Sequence, residues 1–110
     1  MKKVSWIDIG GETVKDTDVY TLKDNNFGKN LTLSSTFLRA NKSTNGHSHT
    51  GQEEVYFFIE GKGKMEVDDE TFNVGKGDII CIEDGEYHRV HNNSDLGLSF
   101  VCVFDGGRNH

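Results

Sequence analysis

Four residues in this chain of 110 have the types and spacing to do chemistry. His47 and His49 stand two apart in the stretch GHSHTGQEEVYFFIEG, residues 46–61. Glu54 follows five residues after His49, and His88 comes from a distant stretch, GDIICIEDGEYHRVHN, residues 77–92. In a β-strand, residues i and i+2 point to the same face, so His47 and His49 present two imidazoles on one wall. Three imidazoles and a carboxylate converging inside a barrel make a site for one divalent transition metal per chain, and Fe, Mn, Ni, Co and Zn all accept such a set. An octahedral ion held by four protein donors keeps two open positions, which makes a site reactive instead of structural. A lone histidine on a strand is ordinarily structural, and His91 and His110 are read that way. By strand parity His88, Val90 and Asn92 share one face, while Tyr87, Arg89 and His91 share the other.

The two stretches resemble the paired signatures of the cupin family. The first family pattern is Gly, His-x-His, three or four residues, Glu, six residues, Gly; His47, His49, Glu54 and Gly61 match it. Asn41 stands where the family places its leading glycine. The second pattern is Gly, five residues, Pro-x-Gly, two residues, His, three residues, Asn. Gly77, Gly85, His88 and Asn92 fall on it, and Glu83 replaces the proline. The resemblance implies an all-β, cupin-like jelly-roll β-barrel with His47, His49, Glu54 and His88 as metal ligands. The family accepts a glutamate at 53 or at 54, and the six-residue gap to Gly61 selects Glu54. That choice sends Glu54, Tyr56 and Phe58 inward and Val55, Phe57 and Ile59 outward; Glu53 would reverse the parity. The apolar outer face then needs cover, from the N-terminal strand or from a partner subunit in a homodimer.

The elements that must position these residues read as strands throughout. Residues 1–30 hold N-terminal strands and turns, with a first strand over 1–9 ended by Gly10-Gly11, a short strand from Val19 to Leu22, and turn chemistry over Asp24–Gly28. Leu31 to Ala40 alternates with a period of two. Asn41–Gly46 is a polar loop that delivers His47. Further strands are expected over 54–60, 64–67, 71–74, 78–82, 87–91 and 96–104, with Asp68-Asp69 turning a hairpin. Proline is absent, so the 13 glycines carry the turns; the Glu83 turn rests on Asp84-Gly85. Residues 105–110 are expected to form a loose tail.

The length allows a single domain, 1–110. The net charge of −6 argues against a nucleic-acid partner and against adhesion to an anionic membrane. The apolar runs are far short of the ~20 residues that span a bilayer, and Met1-Lys2-Lys3 opens no apolar leader, so the expected location is cytoplasmic. Cys81 and Cys102 sit in apolar runs and are expected to be buried free thiols.

The stretch EEVYFFIEGKGKMEVDDE, residues 53–70, resembles metal-dependent sugar-phosphate isomerases of the cupin class. The leading expectation is therefore an aldose–ketose isomerase for a sugar or sugar phosphate. Two open metal positions would take a carbonyl and its neighbouring hydroxyl as a chelate, with Glu54 as base and Tyr56 assisting. Arg39, Thr50, Gln52 and Phe58 are candidate substrate contacts, and Phe37 a candidate lining residue. The alternatives are an Fe(II)-type dioxygenase, a non-catalytic small-ligand or metal-binding module, and a small metal-dependent lyase.

Overall fold

The computed structural model describes residues 1–108. Among them there is no helix, and the strands form two antiparallel sheets. In chain order the strands are β1 (Glu12–Asp16), β2 (Tyr20–Asn25), β3 (Leu31–Leu38), β4 (Glu54–Glu60), β5 (Lys62–Val67), β6 (Glu70–Gly75), β7 (Ile79–Ile82), β8 (His88–His91) and β9 (Leu98–Asp105). The larger sheet has the order β1-β2-β3-β9-β4-β7, and the smaller β6-β5-β8. This is the all-β jelly-roll arrangement expected from the sequence. With no helix among the described residues, no helix is long and apolar enough to cross a membrane.

Alternation decides what each strand buries. Along β4, Glu54, Tyr56 and Phe58 are buried, while Phe57 is exposed. Along β8, His88 and Val90 are buried, with Asn92 just beyond. Leu38, Phe58, Met65, Val74, Ile82, Val90, Leu98 and Phe100 pack between the sheets as one core. Phe58 and Phe100 meet at a ring distance of 5.2 Å. On β3 the buried set is Thr32, Ser34, Thr36 and Leu38, mostly polar, and the exposed ends of the other set are Leu31 and Phe37.

Several expectations change. Residues 1–9 form no strand: Ile9 N–H donates to Ser5 O at 2.8 Å in a turn, Ile9 is buried, and Trp6 and Ile7 lie exposed. The strand expected to stop at Leu22 continues through Asp24 and Asn25. Both are buried because their polar ends are engaged, Asn25 Nδ2 by the Ile9 carbonyl at 2.5 Å and Asp24 by Arg108. Cys102 is buried as expected, but Cys81 is exposed, because Ile82 takes the inward positions of the edge strand β7; both thiols are free. The tail is held as far as Arg108, not loose, by the Arg108–Asp24 ion pair at 2.6 Å. His110 lies outside the described residues.

Candidate metal centre

Two loops carry the donors, and backbone pairing zips them together. His47 N–H donates to His88 O at 3.2 Å, and His88 N–H returns to His47 O at 2.9 Å. Gly85 N–H reaches His49 O at 2.8 Å, and Gly51 N–H reaches Asp84 Oδ1 at 2.7 Å. Asn41, at the position of the family's leading glycine, has φ 59°, the left-handed conformation that asparagine tolerates best after glycine. Gly85 has φ 83°. At Gly46 a Cβ would collide with the Tyr87 hydroxyl and ring, so glycine lets the chain pass to His47 with Tyr87 in place. The turn without its proline is closed differently: Glu83 N–H donates to Glu86 Oε1 at 2.7 Å, a bond that proline could not make. Asn92 anchors the other end of β8, its Nδ2 lying 2.8–3.1 Å from the carbonyls of Leu38, Arg39 and Leu96.

His47, His49, Glu54 and His88 each offer a ligand atom, and these atoms all lie within 4.8 Å of one another. Glu54 Oε1 is 2.9 Å from His49 Nε2 and 3.5 Å from His88 Nε2. Neighbouring donors on an octahedral ion with bonds of about 2.1 Å lie about 3 Å apart, so the set needs only a small contraction to close on a metal. His47 Nδ1 lies 3.2 Å from Asn45 O, and His88 Nδ1 lies 3.1 Å from Glu86 O. A carbonyl only accepts, so both rings carry their proton on Nδ1 and keep Nε2 as the donor to a metal. Three nitrogens and one oxygen, three of the four residues buried, thus fit a divalent transition ion.

The electrostatics favour neutral imidazoles at two positions. Burial, with the nearby His88 and His49, lowers His47 to about 4. Burial also lowers His49, against the pull of Glu54. Burial acts the same way on His88, but hydrogen bonds to Glu54 and to the Glu86 carbonyl outweigh it and leave its pKa above the ordinary 6.5. Burial raises both the Tyr56 hydroxyl and the Cys102 thiol well above their usual ranges, so both are neutral.

A cavity of about 80 Å³ opens beside His47, Glu54 and His88, and Ser34, Thr36, Tyr56, Cys102 and Arg108 contribute to its wall. Of the residues expected at the site, Tyr56 lines this cavity, and its ring lies 5.7 Å from His88. Glu53 is exposed and Glu54 is in the donor set. His91 faces the other way, with Nδ1 2.6 Å from Ser43 Oγ and Nε2 against Glu66. The expected substrate contacts do not line this cavity. Phe58 is fully buried in the core, Arg39 is engaged by Asp16, Thr17 and Thr21, Thr50 is exposed, and Gln52 holds the backbone of the tail. Phe37 points outward and is exposed. Sequence reasoning missed Ser34 and Thr36, whose signal was the polar half of the β3 alternation. It also missed Arg108, for which no local pattern speaks.

A family model described as a cupin domain matches residues 37–104. The chain belongs to the cupin family. An uncharacterized protein of Methanocaldococcus jannaschii is 33% identical over 75 residues, 68% of this chain and 60% of that one. The oxalate-binding protein of Thermotoga maritima is 28% identical over 57 residues, 52% of this chain and 47% of that one. This cupin therefore spans about half to three-fifths of those relatives. Among solved structures, the oxalate decarboxylase of Bacillus subtilis, a protein with Mn(II) centres, superposes with a TM-score of 0.82 at 21% identity, covering 94% of this chain and 30% of that one. KdgF from a Halomonas species superposes with a TM-score of 0.78 at 12% identity, covering 88% and 89%. These likenesses are likenesses of fold.

Proposed function

We propose that this cupin holds one divalent transition metal on His47, His49, Glu54 and His88 and binds a small chelating oxygen ligand there, of the oxalate or 2-oxo-acid class. The observation that carries the reading is the cavity of about 80 Å³ beside the donors. That space admits a ligand of a few non-hydrogen atoms directly beside the donors. The oxalate-binding relative points the same way. When bound, the metal supplies Lewis acidity and two neighbouring coordination positions. The chain's own part is to orient the donors through Asn45 and Glu86, and to present neutral hydroxyls at the ligand from Ser34, Thr36 and Tyr56. Glu54 is the one carboxylate among the described cavity residues, and as a metal ligand it is a poor base, which weights the reading toward binding over turnover.

A second reading, a metal-dependent enzyme, is favoured by Tyr56. Its neutral hydroxyl in the cavity wall is a hydrogen-bond donor for negative charge developing on a substrate oxygen in the isomerase or dioxygenase expected from the sequence. Titrating Mn(II)-loaded protein with oxalate, glyoxylate and glucose 6-phosphate, followed by calorimetry and NMR, separates the two. One-to-one binding of the small acids without conversion supports the first. Sugar-phosphate binding with ketose formation overturns it.

We also infer a homodimer through the outer face of the larger sheet. Cross-strand register lines up Leu33, Val103, Val55 and Cys81 in one row, and Ser35, Val101, Phe57 and Ile79 in the next. Phe57 is 40% exposed and Ile79 66%. Trp6 and Ile7 share a hollow with Ser35 and Phe37 on this face, while Phe57 and Ile79 stay exposed. Six strands averaging about six residues, at a rise of about 3.3 Å and a spacing of about 4.8 Å, give a face of roughly 600 Å², three-quarters of the ~800 Å² per partner of a stable interface.

A further inference from the structure

We infer that the segment Asp105–Arg108 is a selectivity strap, which holds the Arg108 guanidinium in the wall of the metal cavity so that anionic ligands are preferred over neutral ones. The inference rests on the metal reading above and adds a residue that the family signatures do not contain.

The strap is fastened by buried polar groups from separate parts of the chain. Gln52 Nε2 donates to Asp105 O at 2.8 Å and to Gly107 O at 3.1 Å. Thr32 Oγ1 donates to Gly106 O at 2.6 Å, and Gly106 N–H pairs with Asn30 O. Asp24 takes Arg108 in a two-point grip, Nε to Oδ2 at 2.7 Å and Nη2 to Oδ1 at 2.6 Å. The Arg108 guanidinium also stacks over the Phe104 ring at 5.3 Å. Gln52, Thr32 and Asp24 are all buried. Burying a carboxylate is costly unless it is paired and hydrogen-bonded, so a buried Asp24 devoted to the fourth residue of the strap fixes that residue's place.

The grip also fixes an orientation. Two parallel N–H···O bonds set the plane of a guanidinium as a single contact from lysine could not. Arg108 lines the cavity and Asp24 does not, so the pair turns its cationic end to the ligand space. Arg108 is the one lysine or arginine among the described cavity residues. Its charge is felt at Glu54, His49, Tyr56 and Cys102. In a chain of net charge −6, an approaching anion meets general repulsion, and a cation in the cavity wall is what reverses it locally.

The test uses the full chain loaded with Co(II), whose visible spectrum reports both metal uptake and ligand binding. Oxalate and imidazole are titrated into wild type, Arg108→Gln and Arg108→Lys. Arg108→Gln is expected to weaken oxalate by about tenfold or more, to leave imidazole within about twofold, and to keep or tighten Co(II) binding, since a repelling charge is gone. Arg108→Lys keeps the charge and loses the fork, so oxalate affinity should fall between the other two. Unchanged oxalate affinity in Arg108→Gln with Co(II) still bound overturns the strap and leaves the metal reading intact. An equal loss of oxalate and imidazole also overturns it, because the effect is then not selection by charge. A wild-type chain that takes up no Co(II) overturns the metal reading and the strap with it.

Discussion

The walls of the two sheets differ in how much polarity they carry inside. On the smaller sheet the inner wall is apolar but for His88: Met65, Val74 and Val90 are buried inside, and the outer rows are Asn73-Lys64-His91 and Thr71-Glu66-Arg89. On the larger sheet Thr32, Ser34, Thr36 and Glu54 face in beside Tyr56, Phe58 and Phe100, while Leu33, Val103, Val55, Phe57, Val101 and Ile79, with Ser35 and Cys81, form the outer rows. The difference shows what a ligand-binding barrel gives up. Strands that line the cavity put polar groups inside, and their apolar residues, which the period of two sends outward, must find cover elsewhere.

The sharpest break of this comparison lies between two neighbours on β4. Phe58→Ala is expected to cost about 3–5 kcal/mol of unfolding free energy, the usual range for a buried aromatic. Phe57→Ala, on the outer wall, should cost under about 1 kcal/mol and act instead on association. Denaturant melts of the two variants check this; equal losses would mean that the outer face is core. Next comes β8, which carries one histidine on each wall. His88→Ala should weaken divalent-metal affinity by more than about 100-fold, more than losing a group that only hydrogen-bonds a ligand would, while His91→Ala leaves it unchanged. Metal analysis after dialysis decides, and the reverse order would place the donor on the wrong wall.

Charge placed on the outer rows gives a smaller effect. Val101→Glu should turn a dimer of twice the chain mass into a monomer in light scattering, since it sets like charges in a buried interface. Lys64→Glu, on the outer row of the smaller sheet, should change nothing. A wild-type monomer at micromolar concentration removes the interface altogether. The smallest effect is that of pH. A metal needs neutral imidazoles, and His47, lowered to about 4, stays neutral across the working range. His88, raised above 6.5, is the group that protons occupy first as pH falls. Affinity should therefore drop by about tenfold per pH unit once the medium passes below the His88 pKa, with a further loss near 4. A flat profile from pH 8 to 5 contradicts the assignment.

Much of this was legible in the chain. The period of two placed Glu54, Tyr56 and Phe58 on one wall, and the histidine spacings brought together the four donors that the structure clusters. What escaped were residues whose role depends on partners far along the sequence. Asp24 and Asn25 read as a turn because Arg108 and the Ile9 carbonyl, which make them affordable inside a strand, lie 84 and 16 residues away. Gln52 sits three residues from a ligand and looked like a substrate contact, yet it serves the tail. Cys81 was taken as buried from an apolar run, but β7 is an edge strand whose inward place belongs to Ile82. The loop from Asn41 takes its left-handed residue without a glycine, and the Glu83 turn closes on the Glu86 carboxylate without a proline.

The place of β9 governs the order in which the barrel can be made. The last strand of the chain lies in the middle of the larger sheet, paired with β3 on one side and β4 on the other. Until Leu98–Asp105 arrives, β1-β2-β3 and β4-β7 are two separate ribbons with open edges facing each other. A chain whose Leu98–Asp105 has not yet docked thus carries two unpaired edges, a state open to mispairing between copies. The sheet then closes in one late event that joins distant parts of the sequence, which makes folding slow for the chain's size. A fragment ending before Leu98 should accordingly remain unfolded, with no half-barrel of its own.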